Sequence, residues 1–372
     1  MTAVDPWHYP RPELAENYLK VFAIGLTSAR GLFAKRRMGK SEFLEQDLLP
    51  AARAAGYRTA YLNLWEARSA PASALASVLG DAMAPKGWAK VLARLNTPLK
   101  KVKAAGKLPG LGEASVEAEL VDDRNLAGPV LTELLRAWDN PKKPLLLALD
   151  EAQVLANVEH ADLAHSLRAG LDVRKQTIKV VFAGSSEPTL RRMFGRHDQP
   201  FYNWAPLEPF ELLGEDFVRV MVEKVNDLCR YPLALDDALT AFEQLQRTPE
   251  FFRRYLTRYL SYAVYGSAAA LEDTKAHVFH DEHFLATWKN LLPTDREVLR
   301  LVAEGAKGLH SAATRLKLGT RLGLSAPVST NVTQQALRRL QDEALVVKLD
   351  YGDYSIADDA LAQWVRLREL DT

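Results

Sequence analysis

Two short segments carry residue types and spacings suited to holding a nucleoside triphosphate. The first is Ala34-Lys35-Arg36-Arg37-Met38-Gly39-Lys40-Ser41-Glu42, between an apolar stub (Gly31, Leu32, Phe33) and a helix-like run, Glu42 to Leu49. A strand–loop–helix of this kind ends in backbone N–H groups that form an anion site, and Lys40 adds a mobile charge for the β- and γ-phosphates. Ser41 offers a hydroxyl to Mg²⁺. The second segment, Pro144-Leu-Leu-Leu-Ala-Leu-Asp150-Glu151, is an apolar strand that delivers Asp150 as a metal ligand at its C-terminal end. Glu151 follows as a general base able to orient water. The ligands expected are therefore a nucleoside triphosphate, ATP or GTP, since no base-reading motif is evident, and Mg²⁺.

The loop departs from G-x-x-x-x-G-K-[ST] in having Ala34 at the first glycine. If that position needs a left-handed backbone, alanine costs roughly 1–2 kcal/mol. A micromolar nucleotide site has about 8 kcal/mol of binding free energy, so binding is better supported than turnover.

These residues need a frame, and the patterning supplies one. Short apolar runs at Arg58–Trp65, Pro144–Leu149 and Ile178–Ala183 alternate with helical stretches such as Gly128–Trp138 and Ala161–Leu171. That alternation predicts an α/β core, a parallel sheet flanked by helices, with ligands at the strands' C-terminal ends. Residues 1–20 read as an extended arm that packs on something, followed by a helix from Glu13. From Glu211 to about Ala270 everything is helical. Thr248-Pro249-Glu250 reads as a capped helix start, and Phe251, Phe252, Tyr255, Tyr259 and Tyr262 as core packing.

The last 80 residues change character. Helices are expected at Asp281–Leu291, Asp295–Ala303 and His310–Leu318, and a capped helix over Ser329–Leu340. A hairpin follows through Leu345–Asp350 and Tyr354–Ile356. This is the order of a winged helix-turn-helix. The expected domains are 1–210, an ATPase core with a basic insertion at about 82–128; 211–280, a helical lid; and 281–372, the winged helix.

Two windows lack acids. Ala82–Gly112 holds Lys86, Lys90, Arg94, Lys100, Lys101, Lys103 and Lys107; Gly305–Gln341 holds a further set of cations. In the second, Arg315, Lys317, Arg321, Asn331, Thr333, Gln334 and Arg338 are candidates for contacting double-stranded DNA, to which the basic insertion could also bind. Asp350 and Asp353 at the wing tip oppose this, and winged helices also dock proteins.

Composition is compatible with all of this. The chain has 372 residues, 48% of them hydrophobic and 26% charged, with net charge +1, which fits a globular protein of two or three domains. One cysteine, Cys229, excludes an internal disulfide and is expected to be a small buried group. Zinc chemistry is not expected from one cysteine and scattered histidines. No signal-peptide pattern opens the sequence and no apolar run is long enough to span a bilayer. A cytoplasmic location without membrane contact is the expectation.

Taken together the motifs resemble the archaeal-type P-loop ATPases of the AAA+/STAND group, whose order is P-loop core, helical lid and winged helix. The marks are Arg36-Arg37-Met38-Gly39-Lys40-Ser41, Leu149-Asp150-Glu151-Ala152-Gln153, Phe182-Ala-Gly184-Ser185-Ser186, and Gly195-Arg196 followed by Pro206-Leu-Glu-Pro209-Phe. The resemblance implies a sensor role for Ser185 or Ser186 near the γ-phosphate. It implies a phosphate-contacting arginine at Arg196, with Arg191 and Arg192 as competitors, and a lid sensor at Arg253. The glycine such proteins often have before the lid proline is replaced here by Arg247-Thr248. The implied function is an ATP-hydrolysing switch whose winged helix engages DNA, a protein partner or a second copy. The competing expectation is a non-catalytic interaction scaffold.

Overall fold

In the computed structural model, residues 5–81, 128, 130–278, 282–343, 345–350, 353–357 and 359–367 are described. The basic insertion and the wing tip lie outside these residues, apart from Gly128 and the two wing strands. The chain divides into two compact units, residues 10–33 with 41–209, and residues 1–9 with 34–40 and 210–372.

The first unit is the sheet. It begins with α1 (Pro12–Ala23) and β1 (Ala29–Phe33). After the loop the chain turns helical in α2 (Lys40–Glu42), passes a π-helical turn (Phe43–Leu48) and continues in α3 (Leu49–Ala54). Then come β2 (Arg58–Asn63), α4 (Pro71–Asp81), α5 (Leu131–Trp138) and β3 (Leu145–Asp150). The unit ends with α6 (Ala161–Asp172), β4 (Ile178–Gly184), α7 (Glu187–Gly195) and β5 (Leu207–Pro209). The five strands are all parallel in the order β2-β3-β4-β1-β5.

Strand alternation decides which residues meet which layer. Leu145, Leu147 and Leu149 of β3, and Ile178, Val180 and Phe182 of β4, join the main core with α5, α6 and α7. The intervening Leu146, Ala148 and Asp150 belong to the other face. There Arg30 of β1 lies 3.9 Å from the Tyr18 ring centroid of α1, and Tyr18 packs at 5.8 Å on Phe43. Both faces are covered, which is why β3 and β4 are buried at every position.

The second unit carries two further cores. Helices α8 (Glu215–Asn226), α9 (Leu235–Gln244), α10 (Pro249–Tyr262) and α11 (Gly266–Val278) form the expected lid. Phe217, Phe242 and Phe252 meet at 5.2–5.8 Å between ring centroids. Of the aromatic stripe, Phe252, Tyr255 and Tyr259 are core packing and Phe251 is half-buried against the same core, whereas Tyr262 at the end of α10 is exposed, contrary to expectation. Two other details differ from expectation. Thr248 does not cap α10 with its side chain; its hydroxyl donates to the Gln246 carbonyl at 3.4 Å instead. Cys229 is half-buried at the edge of this core. The arm packs on the lid: Tyr9 stacks edge-on against Phe217 at 5.6 Å, and Lys224 donates to the carbonyl of Pro6 at 2.9 Å.

The third core joins α12 (Glu282–Asn290), α13 (Pro293–Ala303), α14 (Ala312–Arg321) and α15 (Thr330–Asp342) to the antiparallel hairpin β6 (Val346–Asp350) and β7 (Asp353–Ile356), then α16 (Asp359–Leu367). Ser329 Oγ accepts from the Val332 amide at 3.4 Å, which is the cap expected at the start of α15. Helix, helix, helix and hairpin give the winged-helix order.

Candidate functional site

The acid pair sits at the C-terminal tip of β3. Asp150 is fully buried. Its Oδ2 accepts from Ser41 Oγ at 2.5 Å and from the Tyr61 hydroxyl at 3.1 Å, and its Oδ1 from the Glu151 amide at 2.9 Å. The strand pattern explains the tyrosine. Tyr61 pairs with Ala148 across β2 and β3, so it shares a face with Asp150 one diagonal step away. Burial first, then the charges of Asp150 and Glu45, push the Tyr61 phenol far above its usual range, so it remains a donor. The two oxygens expected to hold Mg²⁺, Ser41 Oγ and an Asp150 carboxylate oxygen, are thus already side by side.

Glu151 turns away from Asp150 because its backbone is left-handed, with φ of 52°. Its Oε2 accepts from Ser185 Oγ at 2.7 Å and also from Gln153 Nε2, and Gln153 Nε2 reaches Ser185 Oγ at 3.1 Å. Ser185 follows β4, the strand beside β3, so the sheet order itself brings this residue to Glu151. Gly184 makes room for the arrangement. A Cβ there would lie 2.3 Å from Gln153 Oε1 and 2.8 Å from Leu190 Cδ1. Ser186 instead shares a hydrogen bond of 2.9 Å with Thr189 at the start of α7.

The phosphate loop has a different arrangement from the one Ala34 led us to expect. Ala34 has no positive φ; the left-handed positions are Arg37, at 68°, and Gly39, at 85°. No backbone penalty therefore falls on the alanine. The strained residue is Arg37, held by an ion pair with Glu250 at 3.3 Å and by the Phe251 ring 5.3 Å from its guanidinium. Lys40 is buried and donates to the carbonyls of Ala34 at 3.0 Å and Lys35 at 3.3 Å. Met38 is buried, Lys35 exposed, and Arg36 and Glu42 half-buried.

The arginines implied by resemblance are otherwise engaged. Arg196 forms a two-pronged pair with Asp198 at 2.8 and 3.1 Å on the surface, and Arg191 pairs with Glu187 at 2.7 Å. Arg253 donates to Asp5 of the arm at 2.7 Å. Burial pulls Asp5 upward, but the Trp7 amide and the Arg253 guanidinium outweigh it and lower its pKa.

The candidate DNA face is mixed. Asn331, Gln334, Gln335 and Arg338 form one exposed stripe of α15 at helical spacing. Thr333, by contrast, is buried at 1% exposure, so its side chain faces the core. Lys317 and Arg321 both pair with Glu304, at 2.7 and 2.6 Å. Arg315 donates to the carbonyls of His310 and Val328 at 3.2 and 3.1 Å, tying α14 to the start of α15.

Sequence reasoning missed Tyr61 and Glu304, and it named Gln153 only within the strand-tip motif, without a role. Tyr61 could have been found from strand register. Glu304 acts through spatial neighbours, and nothing in its local sequence marks it.

No protein-family model matches the chain, and no curated protein matches it in sequence. Solved structures do resemble it. The Walker-type ATPase of Pyrococcus abyssi matches at 18% identity over 96% of this chain and 95% of its own, with a TM-score of 0.52. The ORC2 protein of Aeropyrum pernix, in an ADP form, matches at 15% identity over 98% and 95%, with a TM-score of 0.50. The ORC1 protein of the same organism, in complex with DNA, matches at 14% identity over 100% and 97%, with a TM-score of 0.51. Among the described residues no helix is long and apolar enough to cross a membrane. With its parallel five-stranded sheet followed by a helical region and a C-terminal hairpin, the chain shares the fold of these Walker-type ATPase and ORC structures.

Proposed function

We propose that the protein binds and hydrolyses ATP and acts as a molecular switch whose winged helix engages DNA. The observation that carries this reading is the junction at Asp150, where the Ser41 hydroxyl meets the carboxylate at 2.5 Å while Glu151 is positioned separately by Ser185 and Gln153. Two acids at one strand tip thus have two distinct sets of partners, as metal binding and water orientation require.

Among the described residues no group of three or more His, Cys, Asp or Glu could hold a metal by itself. In this reading Ser41 and Asp150 supply two oxygens to the metal, and phosphates and water the rest. Mg²⁺, when bound, neutralises charge on the β- and γ-phosphates. The backbone N–H groups of residues 34–41 cradle the triphosphate, and Lys40, the chain neighbour of Ser41, exchanges its loop carbonyls for phosphate oxygens. Tyr61 keeps Asp150 oriented. Glu151 orients the attacking water, with Ser185 fixing the carboxylate. Solved structures of similar fold include one in an ADP form and one in complex with DNA, which supports the choice of ligands.

Lys40→Ala should abolish ATP binding. Glu151→Gln should preserve binding and lose turnover by about 10²-fold or more, the scale of general-base removal. The measurement is ATPase rate with and without duplex DNA, alongside nucleotide affinity; equal rates for wild type and Glu151→Gln would remove Glu151 from the mechanism. The pairing of Lys317 and Arg321 with Glu304 favours a second reading, in which the winged helix docks a protein or a second copy. Absence of DNA binding at low salt, with ATPase activity intact, would select it.

A further inference from the structure

The end of the sheet away from Ser41 and Ser185 holds a polar cavity of about 300 Å³. Thr27 and Ser28 at the entry to β1, Arg168 of α6, Lys175, Lys179 and Asn203 line it. β1 and β4 run parallel, so residues that precede them lie at the end of the sheet away from Ser41 and Ser185.

The charges of this cavity do not balance. Asp172 forms ion pairs with Arg168 at 2.7 Å and with Lys175 at 2.6 Å, one carboxylate against two cations. Lys179 makes a third cation and is only 4% exposed. Among the described residues it has no carboxylate within ion-pair distance; its ammonium donates to the Lys175 carbonyl at 2.6 Å. Buried charges are normally paired, because desolvation of an ammonium costs several kcal/mol. Burial lowers the Lys179 pKa accordingly. Arg168 is held with its guanidinium 5.0 Å from the Trp204 ring centroid, a fixed fork rather than a mobile one.

We infer that this cavity is a binding site for a small oxyanion, a phosphate or a phosphomonoester, with Lys179 at its floor and Arg168 and Lys175 at its walls. A phosphate group supplies the negative charge that Lys179 lacks and accepts hydrogen bonds from a planar guanidinium. The volume exceeds what a bare phosphate fills, which leaves room for the organic part of an ester.

The test uses the full chain carrying Lys40→Ala, so that the triphosphate loop does not contribute, and is independent of whether the ATPase reading holds. Calorimetric titrations with inorganic phosphate and with glycerol 3-phosphate distinguish the free ion from the ester. Binding of either is expected, and adding Lys179→Met should weaken it tenfold or more, about 1.4 kcal/mol. Asp172→Asn frees Arg168 and Lys175 and should tighten binding. If Lys179→Met does not fold, Lys175→Glu at the exposed rim replaces it and should weaken binding. Heat from neither anion at millimolar concentration, or affinities unchanged by these variants, would overturn the site.

Discussion

Asp150 and Glu151 are adjacent in sequence yet are handled by separate neighbours, and the left-handed backbone at Glu151 is what separates them. A non-glycine residue in that region costs on the order of 1–3 kcal/mol, so surrounding contacts must hold it. Here they are Ser185 and Gln153, and Gly184 is the residue that leaves Gln153 its space. Gly184→Ala is expected to push Gln153 and Leu190 aside, destabilise the protein by about 1–3 kcal/mol through overpacking, and reduce ATP turnover while sparing nucleotide affinity. Thermal melting and ATPase assays check this, and a variant with wild-type turnover would mean that Gln153 does not help to orient Glu151. Ala34 carries no left-handed strain, whereas Arg37 does, and nothing about an A-K-R-R-M-G-K-S string reveals which of its residues will turn that way.

At the scale of elements, the arm and helix α10 form a contact that titrates. Asp5 accepts from Arg253 at 2.7 Å, and its folded pKa lies below the ordinary 3.8. A carboxylate with a depressed folded pKa stabilises above its unfolded value, and that contribution is lost as pH falls through the folded one. Arm docking should therefore be complete at neutral pH and loosen below about pH 4. Limited proteolysis near Trp7 should show faster cleavage of Asp5→Asn than of wild type at pH 7, with the difference closing in acid; equal cleavage throughout would rule out the pair as the arm's anchor. Strands β2, β3 and β4, the lid helices and the wing hairpin were legible because apolar periodicity reports burial directly. Partner choice was not. Asp5 and Arg253 are 248 positions apart, and no local pattern encodes such a pair. Thr248 likewise has a capping residue's sequence context, but its hydroxyl bonds to Gln246 instead.

For the whole molecule the open issue is how much of its positive charge is available to a polyanion. If the acid-free window Gly305–Gln341 and the basic insertion together neutralised roughly four to six phosphates, log affinity would fall with log salt at a slope of about −4 to −5. The structure shows why a linear window overstates the case: Glu304, the residue just before it, takes both Lys317 and Arg321, and Asp295 takes Arg339 at 2.6 and 2.9 Å. Arg338 remains on the exposed stripe of α15 with Asn331 and Gln334, groups that read base edges without adding charge. Neutralising Glu304 tests whether the α14 face meets DNA. In Glu304→Gln, Lys317 and Arg321 are released, so duplex affinity should rise and the log–log salt slope should steepen by roughly 2, about 0.9 for each added phosphate contact. Asn331→Ala and Gln334→Ala should leave that slope as it is and alter only preference among sequences. A Glu304→Gln protein with wild-type affinity and slope would place Lys317 and Arg321 off the DNA.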